Sequence, residues 1–119
     1  MNNWELSKNQ PFEGVLLRGN PIVWEQLKEN LSFGTVLTGK IFVRTPFGVF
    51  FDSGHGFPVL MNVPEFAKGY MKFPDDYPEL DSEIGGQLVG FDDSNRQLRA
   101  ARLGIDIHFD ANPNGATHQ

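Results

Sequence analysis

The chain has 119 residues, a length that suits one domain with one core. Its 39% hydrophobic content can fill such a core, and its 13 glycines and 8 prolines imply many turns, which argues against an all-helical protein. The net charge is −5, from 10 basic and 15 acidic residues, and this argues against salt-driven binding along a long polyanion. Disulfides and thiolate metal sites are excluded because there is no cysteine.

Two features of the sequence bear on its location. No run of about 18 apolar residues is present, as a transmembrane helix would need. The first residues also lack the basic start and apolar middle of a signal peptide. We therefore expect a cytoplasmic protein that does not associate with a membrane.

Residues 1–33 are expected to form an N-terminal extension that contains one helix. The helix is predicted over residues 21–32, because Asn20 is a good N-cap and Pro21 suits the first helical position. Its apolar residues recur on one face, which predicts that they pack against the core: Trp24, Leu27 and Leu31.

From residue 34 onward, short β-branched and aromatic runs alternate with glycine and proline, a pattern typical of successive strands. Five strands are predicted, over residues 35–44, 47–52, 59–63, 87–92 and 98–103. Gly39 lies inside the first run and suits the sharp bend of a strand that takes part in both halves of a small barrel. The expected fold is all-β, a five-stranded barrel over residues 34–103.

Two segments are not assigned to the barrel strands. Residues 64–86 form one long connection rich in proline and acidic residues, and its aromatic residues are expected to pin it to the barrel. Those residues are Phe66, Tyr70, Phe73 and Tyr77. Residues 104–119 are expected to hold an edge strand, where apolar and polar residues alternate from Ile105 to Asp110, and then a disordered tail.

Catalytic and metal-binding patterns are weak. Asp52, Ser53 and His55 include the residue types of a hydrolytic triad, but three residues in one turn cannot each point at the next. The three histidines have no metal-ligand spacing, and the acidic pairs at residues 75–76 and 92–93 are typical of solvated turns. The sequence therefore predicts a protein that is not an enzyme and has no cofactor, catalytic residue or metal site.

The stretch from Gly34 to Asp52 resembles the opening of the ribosomal protein S1 RNA-binding domain. Two glycines five residues apart, Gly34 and Gly39, precede a Phe-Gly-x-Phe-x-Asp hairpin that begins at Phe47. Residues 59–66 resemble the third strand of that family, and the segment from Leu88 to Ala100 resembles its closing hairpin. The resemblance covers residues 34 to about 102 and implies an oligonucleotide-binding (OB) fold.

The same resemblance implies an RNA site on the outer face of the second and third strands. Aromatic rings would stack on unpaired bases there, and arginines would contact phosphates. Carried over residue by residue, the site comprises Phe47, Phe50, Asn62, Asp92, Arg96 and Arg99. Phe47 and Phe50 are three residues apart, so sharing one face requires a bulge, which we expect at Gly48. Phe51 should point into the core, and Phe50 should be exposed.

Two functions remain open from the sequence. The first is a nucleic-acid-binding module that recognises single-stranded RNA through the barrel face. The alternative is a degenerate OB-fold that recognises a protein partner, with the acidic 64–86 loop and the N-terminal helix as the contact surface. The acidic composition favours the alternative, and the hairpin aromatics favour RNA. A positive outer face with two exposed phenyl rings would support RNA binding, and a neutral or acidic face would support protein recognition.

Overall fold

The computed structural model describes residues 3–15, 19–63 and 71–102. Within these ranges the chain forms one helix, α1 (Pro21–Asn30), and a series of strands. The strands are β1 (Glu5–Leu6), β2 (Val36–Thr45), β3 (Gly48–Asp52), β4 (Pro58–Asn62), β5 (Glu83–Asp92) and β6 (Gln97–Arg102). The expected edge strand and tail over residues 104–119 lie outside the described residues.

Strands β2 to β6 close into a five-stranded barrel. Neighbours pair in the order β2-β3-β4-β6-β5, and β5 returns to β2. The pairing is antiparallel except between β4 and β6, which run parallel. This is the mixed closed barrel of an OB-fold with an added helix, and it confirms the predicted fold class.

The barrel closes because β2 changes partner along its length. Residues 36–40 pair with β5, and residues 40–45 pair with β3. Gly39 lies at this change of partner, where a Cβ atom would lie only 1.8 Å from the carbonyl oxygen of Asp52. The backbones approach so closely that no side chain fits, which explains the glycine inside this strand.

Helix α1 begins as its sequence predicts. The Asn20 side chain accepts hydrogen bonds from the backbone N–H groups of Ile22 and Val23, at 2.7 and 3.2 Å. Trp24 is buried in the main core, with its ring centroid 5.0 Å from that of Phe57. The helix ends at Asn30, two residues earlier than expected, because Leu31 has an extended backbone while its side chain still packs against the core.

The long connection is shorter than predicted. Strand β5 begins at Glu83 because the first half of β2 supplies pairing partners for residues 83–87. Within the connection, Tyr77 is buried and its hydroxyl donates a hydrogen bond to the carbonyl of Pro46 at 2.9 Å. The ring centroid of Phe73 lies 4.9 Å from that of Tyr77, and Phe73 also packs against the core. These two aromatics pin the connection as expected, whereas Phe66 and Tyr70 lie outside the described residues.

Candidate nucleic-acid interface

The side chains of the barrel strands alternate between the main core and an outer face. Phe51 belongs to the main core, whereas Phe50 belongs to a second apolar cluster on the outside. Pairing between strands aligns Phe50 with Val43 on β2 and with Leu60 on β4, and Leu60 with Arg99 on β6. A row of outward residues thus crosses four strands, beginning with apolar side chains and ending at the basic Arg99. The predicted orientations of Phe50 and Phe51 are confirmed.

The bulge expected at Gly48 is not found there. Strand β3 pairs with β4 residue by residue along its whole length, beginning at Gly48 and Asn62. Phe47 precedes the strand and lies in the hairpin turn, so strand alternation does not fix its direction. Its ring therefore reaches the side of Phe50, with the two centroids 6.2 Å apart and the rings perpendicular.

The irregularity lies on β2 instead. Its register against β3 shifts between Ile41 and Val43, which leaves Phe42 as the extra residue. Ile41 points into the main core, and both Phe42 and Val43 join the outer cluster. The bulge thus places two consecutive apolar side chains on the outer face beside Phe50.

Residues 3–15, which we call the N-terminal segment, cover much of this outer face. The Trp4 ring centroid lies 5.8 Å from that of Phe47 and 6.1 Å from that of Phe50, and Phe12 lies 5.6 Å from Phe42. Phe50 is consequently only 2% exposed, whereas Phe47 is 45% exposed. The expectation that Phe50 is exposed is wrong, because an aromatic from a distant part of the chain lies over it.

Polar contacts fix the N-terminal segment to the barrel. Ser7 donates from its backbone N–H to the Phe42 carbonyl at 3.0 Å and from its hydroxyl to Asp81 at 2.5 Å. Arg44 of β2 forms an ion pair with Glu5, in which the guanidinium Nε lies 3.0 Å from the carboxylate. The buried Gln97 side chain donates a hydrogen bond to the Val15 carbonyl. The segment is therefore attached near both of its ends.

An apolar groove remains between the N-terminal segment and β2. It has a volume of about 540 Å³ and is lined mainly by side chains of the segment. The apolar lining residues are Trp4, Leu6, Phe12, Val15 and Val43. The segment is thus incompletely packed against the face that it covers.

The predicted site residues are spread along the length of β4. Phe47 and Asn62 lie near its end, and Arg99 lies beside its middle. Asp92 ends β5 and Arg96 lies in the β5–β6 turn, near the start of β4. The structure therefore brings Phe47, Phe50, Asn62 and Arg99 to one outer face and places the other two at its far edge.

The β5–β6 turn holds its two site residues through local contacts. Asp92 accepts hydrogen bonds from the backbone N–H of Asn95 at 3.2 Å and from its side chain at 2.9 Å. Arg96 has a positive φ of 53° and donates to the carbonyl of Gly19 at 2.8 Å. Asp92 thus shapes the turn, and Arg96 connects the turn to the chain that leads into α1.

Basic residues are concentrated beside the outer face although the whole chain is acidic. From residue 94 to residue 102 the sequence contains no acidic residue and three arginines: Arg96, Arg99 and Arg102. Arg99 lies in the outward row, and Arg102 is exposed at the end of β6. This strip supplies a local positive charge that the net charge of −5 conceals.

Asp93, which belongs to an acidic pair expected to be solvated, joins α1 to the barrel. Its carboxylate accepts hydrogen bonds from the Trp24 indole at 2.8 Å and from the Lys28 ammonium at 2.6 Å. The Lys28 hydrogen bond lowers the pKa of Asp93 below its ordinary value of 3.8, outweighing the opposite effect of burial. The helix is therefore held against the β5–β6 turn by a charged contact that titrates in acid.

The polar turn at residues 52–55 does not form a catalytic relay. The Ser53 hydroxyl lies 2.9 Å from His55 Nδ1, but the Asp52 carboxylate accepts from the Gly54 backbone N–H at 2.9 Å. Over the described ranges, no group of three or more histidine or acidic side chains could hold a metal ion. The described part of the chain also contains no helix long and apolar enough to cross a membrane.

Comparison with known proteins supports the fold. The solution structure of GSP13 from Bacillus subtilis superposes with a TM-score of 0.56, over 72% of this chain and 68% of GSP13. The two sequences are 16% identical, so the similarity concerns the architecture alone. No protein-family model matches the chain, and no curated protein matches it. The ligand must therefore be inferred from the residues of the outer face.

Proposed function

We propose that this chain is a divergent S1-type RNA-binding module that binds single-stranded RNA on the outer face of β3, β4 and β6. The observation that carries the proposal is the position of Phe47, an exposed aromatic beside the row that leads to Arg99. An aromatic ring next to arginines is the combination that unpaired nucleic acid requires. The OB-fold supports a binding module rather than an enzyme.

Phe47 is the stacking residue that the closed structure offers directly. Its ring meets those of Trp4 and Phe50 nearly edge to face, at 72° and 88°. Despite these contacts, 45% of the residue stays exposed. Stacking of a base on such a ring contributes about 1–3 kcal/mol.

The polar residues of the site have separate roles in this proposal. Arg99 and Arg96 contact phosphates, and the half-buried Asn62 offers an amide to a base edge. Asp92 shapes the turn that presents Arg96. Because few cations take part, binding should be weak at physiological salt and should have a shallow salt dependence.

The proposal is tested by titrating fluorescein-labelled single-stranded RNA of about eight nucleotides, and the matched DNA, at about 50 mM salt and above. Phe47→Ala should weaken binding by about 1–3 kcal/mol, which is about 5- to 150-fold. Arg99→Ala should lower the logarithmic salt slope by about 0.7. Ile22→Ala, on the exposed side of α1, is the control and should bind like the wild type.

Protein recognition is the second candidate function. Ile22 and Val23 are 67% and 48% exposed on α1, the helix that this alternative uses as a contact surface. The other contact surface of this alternative is the 64–86 loop, of which residues 64–70 lie outside the described residues. If the intact protein shows no affinity for RNA or DNA at about 50 mM salt, nucleic-acid binding is contradicted and protein recognition becomes the better proposal.

A further inference from the structure

The N-terminal segment contacts the groups that an RNA strand would use. Trp4 packs against Phe47 and Phe50, the two aromatic rings of the proposed RNA site. The Val15 carbonyl accepts from the buried Gln97, so the end of the segment is anchored on β6, the strand that carries Arg99. In this conformation a piece of the chain itself therefore covers aromatic rings of the outer face.

The N-terminal segment can leave this face without opening the barrel. Its strand β1 is two residues long and, among the described strands, pairs with β2 alone. The five barrel strands complete their circle without it. The groove of about 540 Å³ beside it shows that the segment is not closely packed along its whole length. Such weakly packed elements open more easily than a barrel core.

We propose that residues 3–15 are an intramolecular competitor, displaced from the outer face when single-stranded RNA binds. This inference rests on the function proposed above. Displacement exposes the rings of Phe50 and Phe42 and adds them to the surface around Phe47. RNA binds the open state more tightly, so closure of the segment lowers the apparent affinity for RNA. That apparent affinity is proportional to the fraction of molecules that are open.

A reversible covalent lock tests the competition. Ser7 donates to the Phe42 carbonyl, which makes the next pair, Leu6 and Val43, a pair without mutual hydrogen bonds. The Cα atoms of such pairs lie about 4.5 Å apart, within the range that a disulfide spans. The chain has no cysteine, so Leu6→Cys with Val43→Cys allows only one disulfide within the molecule, and the monomeric oxidised form is the one to purify.

The lock should act on RNA affinity in a redox-dependent manner. Oxidised protein, with the segment tied to β2, should bind the labelled RNA at least about tenfold more weakly than the same protein reduced with dithiothreitol. The reduced form is the matched control, because the two states share one sequence. Equal affinity of the two states, with the disulfide confirmed by mass, would overturn the competition.

A second variant covers the case in which the cysteine protein does not fold. Phe12→Ala removes the contact with Phe42 but leaves Phe47 untouched, so it should loosen the segment and tighten RNA binding several-fold. Val36→Ala, an exposed apolar truncation elsewhere on β2, should leave the affinity unchanged. Unchanged or weaker binding by Phe12→Ala, while Phe47→Ala still weakens binding, overturns this inference and leaves the proposed function standing. Absence of binding by every form overturns both.

Discussion

Phe50 and Phe51 are neighbours that serve two different apolar clusters. Phe51 is 0% exposed inside the barrel, and Phe50 is 2% exposed beneath the N-terminal segment. Phe51→Ala should cost about 3–5 kcal/mol of unfolding free energy, as buried phenylalanine truncations do. Phe50→Ala should cost about 3 kcal/mol, at the lower end of that range, because the segment can move into the space.

Urea unfolding of the two variants measures these costs. An unchanged midpoint for Phe50→Ala would contradict the covered outer face and restore the expectation that this ring is exposed in solution. A large loss for Phe51→Ala is required in either case, because its ring packs in the main core.

The sequence reveals the direction of these two side chains but not their burial. Strand alternation is local, and it correctly places Phe51 inside and Phe50 outside. The cover over the outer cluster that contains Phe50 comes from Trp4 and Phe12, single aromatics among polar residues without strand or helix periodicity. The pairing of Trp4 with Phe47 and Phe50 spans more than forty positions, and one sequence carries no signal for it.

Helix α1 illustrates the same difference at the level of an element. Its start could be predicted because the N-cap and the first-turn proline act within a few residues. Its attachment could not be predicted, because Trp24 and Asp93 are 69 positions apart. Asp93 belongs to a pair of acidic residues at a turn, and such pairs are usually solvated. Its position beside the helix depends on contacts between distant parts of the chain.

The Asp93 contact predicts an acid-sensitive attachment of α1. The pKa of Asp93 is lower in the folded state than in the unfolded state. Its stabilising effect is therefore present above the unfolded pKa and is lost as the pH falls through the folded pKa. Because the side chain is 58% exposed, the effect should be below about 1 kcal/mol. Between about pH 5 and about pH 3, the wild type should lose more thermal stability than Asp93→Asn, which keeps an acceptor for Trp24 but has no charge to titrate.

Asp93→Ala provides the matched comparison, since it also removes the acceptor for the Trp24 indole. It should be less stable than Asp93→Asn at every pH, by about 0.5–1.5 kcal/mol. Parallel pH profiles of the wild type and Asp93→Asn would contradict a role for the charge.

Barrel closure is a property of the whole molecule that depends on Gly39. A methyl group there would meet the Asp52 carbonyl oxygen at 1.8 Å, so β2 cannot keep both of its partners. Gly39→Ala should cost at least about 3 kcal/mol or prevent folding. Gly85→Ala, in the partner strand β5, is the control. Its methyl group would lie 3.0 Å from the methyl group of Thr38, a side chain that can shift. Equal denaturation midpoints for the two variants would contradict this closure geometry.

The architecture was largely predictable, and its exact pairing was not. Strand runs, turn residues and Gly39 give five strands and a barrel, since each signal is local. The parallel contact between β4 and β6 joins strands separated by a long connection, and no run of residues encodes it. The sequence predicts that Glu83 to Gly86 belong to that connection, because glycines are typical of turns. Pairing with β2, which is distant in sequence, makes these residues part of β5.

Binding at the outer face is tested most directly by NMR on the ¹⁵N-labelled 13.4 kDa protein, titrated with single-stranded RNA of about eight nucleotides. The predicted result is that the largest amide shifts fall on Phe47, Asn62 and Arg99, together with the Trp4 indole as the N-terminal segment gives way. Shifts confined to α1 around Ile22 and Val23, or no shifts at all, would contradict the outer face as the RNA site.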